Sequence, residues 1–153
     1  SDSHGIQVSG IDESGVIYHL YSWEGITSPE DSLKKAINAS LQWGADTVYV
    51  ETNQGGDAWR YIYNNVASRM GVAYHELPGF DEVKASSAVG GKVERASVML
   101  ADYERGNIMH LIGTHSTLET ALRRFPMSKP YDLTDAAVWA HRILTGANAW
   151  LVT

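Results

Sequence analysis

The chain has 153 residues, no cysteine, 44% hydrophobic and 20% charged residues, and a formal net charge of −6. That length predicts one domain with a real core; the lack of cysteine excludes disulfides and thiolate metal sites, leaving carboxylates, histidines or carbonyls to hold any metal. No apolar run of about 18 residues offers a membrane span, and the acidic balance argues against a sequence-independent DNA binder of the usual basic kind.

Ser1-Asp2-Ser3-His4-Gly5 has neither a basic patch nor an apolar stretch, so no signal peptide is expected, and the composition fits a cytoplasmic protein. Residues 5–11 alternate apolar and polar side chains and read as a strand. Asp12-Glu13-Ser14-Gly15 is turn chemistry, and Val16 to Trp23 is a second strand, which together predict a hairpin. Ser28-Pro29-Glu30-Asp31 opens a helix with Leu33, Ala36, Ile37, Ser40 and Leu41 on one face, ended by Gly44. Thr47 to Glu51 is a β-branched strand finishing on a carboxylate, and Asn53-Gln54-Gly55-Gly56 is a loop before a helix from Asp57 to about Met70.

Val72 to Leu77 reads as a strand and Pro78 to Gly91 as a surface loop. Lys92 to Asn107 is helical, with Val93, Ala96, Met99, Leu100 and Tyr103 on its apolar side. Ile108 to Ile112 is a short strand, Ser116 to Phe125 a helix stopped by Pro126, and Thr134 to Leu144 the last helix, ended by Gly146. The order β-β-α-β-α-β-α-β-α-α predicts a mixed α/β sheet flanked by helices.

Glu51 ends a strand beside a Gly-rich loop, the edge where open α/β sheets put their sites. Asp135 stands at the start of the last helix. Two carboxylates on different elements can hold hard divalent ions through oxygen; the alternatives are a solvated strand-end acid and a helix cap, and Asp132 is the better candidate for a plain N-cap. Ser87 to Lys92 fails as a phosphate-binding loop, because the first glycine and the magnesium-holding hydroxyl are both wrong. The six histidines form no zinc motif, although His110 and His115 lie close in sequence. Trp43, Tyr49 and Trp139 are expected in the core rather than stacked on bases. Lys92, Arg95, Arg123 and Arg124 could meet phosphate or simply face solvent.

Several segments in order resemble one family. Val48-Tyr49-Val50-Glu51-Thr52-Asn53-Gln54-Gly55-Gly56-Asp57 resembles the strand and loop of the nuclease domain of tailed-bacteriophage terminase large subunits. Lys92-Val93-Glu94-Arg95-Ala96, Tyr103 to His110, Leu118-Glu119 leading to Phe125, and Asp135-Ala136-Ala137-Val138-Trp139-Ala140 resemble its following stretches, from about residue 2 to residue 145.

The resemblance implies a single ribonuclease-H-like nuclease domain over residues 1–153, without the family's ATPase domain. It implies two Mg²⁺ or Mn²⁺ ions, with Glu51 and Asp135 as catalytic, metal-holding acids and Asp132 assisting, and with Lys92, Arg95 and Asn53 meeting DNA. The implied partners are concatemeric double-stranded DNA, the ATPase domain of the same polypeptide, the portal protein and the small terminase subunit. The implied location is the host bacterial cytoplasm, at the procapsid portal. The family's first catalytic Asp lies on a strand before the hairpin, where this sequence has not yet begun, and Asp2 resembles a later Asp in the turn entering the hairpin. That strand is central in ribonuclease-H-like sheets, so a gap and crippled cleavage are expected without it. A non-catalytic docking or DNA-binding module of the packaging motor stays open beside the endonuclease, as does another ribonuclease-H-like enzyme such as a junction resolvase.

Overall fold

A computed structural model describes residues 2–52, 57–84, 91–113 and 116–146. Its architecture is α/β, with two compact units: Ser1–Asp2 with Ile26–Ala85, and Ser3–Gly25 with Ser86–Thr153. The described strands form two sheets.

In the first unit, local signals fix helix α1 (Pro29–Trp43) at both ends. The Ser28 hydroxyl accepts a hydrogen bond from the Asp31 N–H at 3.1 Å, and Gly44 closes the helix at φ 69°. Leu33 and Ile37 pack with Val48, Tyr63, Val66 and Ala67 into one core, which joins α1 to strand β3 (Thr47–Glu51) and helix α2 (Asp57–Met70). Strand β4 (Gly79–Val83) runs parallel to β3, from Thr47 opposite Gly79 to Glu51 opposite Val83.

This corrects two expectations. Residues 72–77 are not a strand but lead through a 3₁₀ turn, Tyr74–Glu76, with Tyr74 92% exposed. The strand lies instead within the stretch expected to be loop. Its start is held by the Tyr63 hydroxyl, which donates to the Pro78 carbonyl at 2.5 Å, and by the Gly79 N–H, which donates to Asp46 O at 2.9 Å. Phe80 packs on Tyr63 at a ring separation of 4.8 Å. Pairing and burial decide a strand more than its composition does, and Gly79-Phe80-Asp81-Glu82-Val83 is composed like a turn.

In the second unit, β1 (Asp2–Ile11) and β2 (Ile17–Thr27) form the hairpin, so Asp2 begins a strand rather than sitting in a turn. The Asp12 carboxylate accepts from the N–H groups of Ser14 and Val16 and from the Ser14 hydroxyl, fixing the connection and holding its own pKa below the usual value. Strand β5 (Ile108–His110) pairs parallel to β2, with Ile17 opposite Ile108 and His19 opposite His110, making a mixed sheet of order β1-β2-β5.

Helices α3 (Lys92–Glu104), α4 (Ser116–Arg124) and α5 (Asp132–Thr145) bury Ala96, Met99, Leu118, Leu133 and Val138 with Ile17 and Ile108. Ala96 and Met99 face inward as expected, whereas Val93 and Leu100 are 56% and 49% exposed, because the inward stripe of α3 is narrower than the sequence pattern. Among the described residues, no helix is long and apolar enough to cross a membrane.

Candidate functional site

Glu51 is the last residue of β3, partly buried. The next residue, Thr52, keeps the ladder going with an N–H bond to Val83 O at 2.9 Å, and its side chain is buried. Glu51 therefore projects from the carboxyl end of a parallel pair. Asn53 lies outside the described residues.

The other acids come from α5. Tyr131 is its N-cap residue and makes no capping side-chain bond, so Asp132 is not the cap expected from the sequence but the first helical residue. Asp132 and Asp135 stand one turn apart, on one face and at the positive end of the helix dipole. Gly5 of β1 positions this turn: a Cβ there would lie 2.3 Å from Leu133 N and 2.4 Å from Leu133 Cα, so only glycine lets the backbones meet.

Lys92, the first residue of α3, donates from its ammonium to Asp135 Oδ2. The same ammonium lies 5.8 Å from the Tyr131 ring centroid. The structure thus brings Lys92, Tyr131 and Asp135 together. Arg95, one turn further along α3, is partly buried, and its charge helps to depress the pKa of Arg142, although burial is the larger cause. Among the described residues, no group of three or more His, Cys, Asp or Glu is gathered to hold a metal ion.

Sequence reasoning missed a polar network inside the second unit. The Tyr103 hydroxyl and His110 Nε2 share a 2.5 Å hydrogen bond, and His110 Nδ1 lies 3.2 Å from Glu119. The His19 ring meets His110 edge-on at 5.4 Å, and its Nδ1 shares a 2.7 Å bond with Ser9. Burial first, then the fields of His110 and His141, press the His19 pKa down to about 3. Burial and the Glu119 charge raise that of Tyr103.

His141 is 1% exposed and donates from Nε2 to Asp102 at 2.5 Å. Burial opposes the Asp102 carboxylate, yet hydrogen bonds from His141 and Arg105 outweigh it and hold its pKa below the usual value. The His110 imidazole is engaged by Tyr103 and Glu119; His115, close to it in sequence, lies outside the described residues.

Two other expectations change. Arg124 is engaged by Glu24 and by the Pro130 carbonyl, while Arg123 remains an exposed cation. Trp139 is buried as expected, but Tyr49 is 42% exposed because its side chain points away from the β3 core face. An open groove of about 910 Å³ in the first unit, bordered by Asp46, His75 and Glu76, includes none of the acids singled out from the sequence. Compared with known proteins, the sequence matches no family model, and a search of curated proteins finds no match.

Proposed function

We propose that this chain is the ribonuclease-H-like nuclease domain of a viral DNA-packaging terminase, a metal-dependent endonuclease acting on concatemeric double-stranded DNA. The observation that carries the reading is where the motif acids fall: Glu51 ends a parallel strand, and Asp132 and Asp135 open a helix.

Carboxylate oxygens suit Mg²⁺ or Mn²⁺, and Glu51 and Asp135, with Asp132 assisting, are the groups proposed to hold two such ions. When bound, the ions would stabilise charge on the attacking and leaving oxygens of phosphodiester hydrolysis. The chain's own residues position these acids: the β3–β4 pair fixes Glu51, and the Gly5 contact fixes the first turn of α5. DNA, the ATPase domain of the same polypeptide, the portal and the small terminase subunit are the partners that go with this reading.

The test is Mn²⁺-dependent nicking of supercoiled plasmid by the full protein, with Glu51→Ala alongside. Cleavage that disappears in the variant is the expected result. A well-folded protein that never cleaves would favour the non-catalytic docking module, the reading that the net charge of −6 favours.

A further inference from the structure

We propose that the groove of the first unit is a docking site for a basic segment of a partner protein, one that carries apolar side chains beside its lysines or arginines. The groove lies where α1 and α2 both end, and the 3₁₀ turn Tyr74–Glu76 supplies part of its wall. Its volume of about 910 Å³ is that of a pocket for a short stretch of chain, far more than a lone ion fills. Leu41, Val72, Leu77 and Pro78 give it an apolar lining, and Leu41 is 38% exposed there. Covering such a surface releases apolar area from water, which is the non-directional part of the binding energy.

Charge decides which segment fits. Asp46 and Glu76 border the groove and are both exposed. Among the described residues, no side chain engages the Asp46 carboxylate, and Glu76 meets the exposed His75 ring at 3.9 Å. The last turn of α1 holds no basic residue, so the negative end of its dipole adds to the two carboxylates. Arg69, in the last turn of α2, does not line the groove. A lysine or arginine is therefore favoured here, whereas an acidic segment or a nucleic acid is repelled. The groove is also held in shape. The Gly79 N–H donates to the Asp46 carbonyl at 2.9 Å, and the Tyr63 hydroxyl holds the Pro78 carbonyl. A partner thus meets a preformed surface and need not order it. The inference is independent of the nuclease reading, because none of Glu51, Asp132 and Asp135 lines this groove.

The probe is a short fluorescein-labelled peptide of alternating leucine and lysine, its binding to the whole protein followed by fluorescence anisotropy. Peptides of alternating glycine and lysine, and of alternating leucine and glutamate, serve as controls. The leucine–lysine peptide is expected to bind, to shift the amide NMR signals of Asp46, Val72 and Leu77, and to weaken by about fivefold in the double variant D46N/E76Q. Leu41→Ser is expected to weaken it as well, since it removes apolar lining and no charge. The double variant E13Q/E104Q, which removes as many exposed charges from the second unit, is expected to bind like wild type. Equal weakening in the two double variants would mean attraction by net charge alone and overturns the docking site. Equal affinity for the glycine–lysine peptide reduces the groove to a cation site and overturns the apolar half of the proposal. Binding of the leucine–glutamate peptide in preference, or no binding of any peptide, overturns it entirely.

Discussion

His19 occupies a place where an imidazolium would be poorly tolerated. Its ring is 2% exposed, bonded to Ser9 on one side and set against His110 on the other, and burial presses its pKa from 6.5 to about 3. The unfolded chain therefore takes up a proton below about pH 6.5 that the folded chain refuses. The stability contributed by this group is fully present above the unfolded pKa and falls as pH drops towards about 3. The linkage relation gives a loss of about 2 kcal/mol between pH 6.5 and about pH 5 from this one residue. Urea unfolding across that range should show the loss in wild type and a smaller slope in His19→Gln, which cannot take the proton. Equal slopes would mean that His19 is solvated in the native protein.

At the scale of elements, the decisive contact is the one between β1 and the first turn of α5. Because a Cβ on Gly5 would meet backbone atoms of Leu133 rather than the end of a side chain, a methyl group there has to push the helix away. Gly5→Ala should cost about 1–3 kcal/mol as overpacking and shift the amide NMR signals of Asp132 to Asp135; an unchanged melting temperature would show that β1 does not lie against that turn.

The sequence carries a trace of this contact, since an isolated glycine in a strand marks a bulge or a close backbone approach, but it does not say which element approaches. The same division runs through the fold. The ends of α1 were legible because Ser28, Pro29 and Gly44 act locally, and the Glu51 strand because β-branched residues cluster there. β4 was not legible, because its pairing with β3 and the Tyr63 anchor are tertiary. Asp102 with His141, and Lys92 with Asp135, escaped for the same reason: each pair joins residues about 40 positions apart, beyond any pattern that helical spacing can reveal.

For the whole molecule, charge decides between the two functional readings. A net charge of −6 works against binding a polyanion. If the acids serve metal ions, divalent cations should both neutralise them and bridge to phosphate. Binding of a short DNA duplex, measured by fluorescence anisotropy at physiological salt, should then be weak in EDTA and tighten by about tenfold or more with Ca²⁺, a hard ion that takes carboxylate oxygens. Asp135→Ala should blunt that gain, since it removes one of the acids that the ion neutralises. A docking module predicts a different pattern, in which whatever DNA affinity exists is screened by Ca²⁺ as by any salt and is indifferent to Asp135. The sign of the Ca²⁺ effect therefore separates the readings without requiring cleavage.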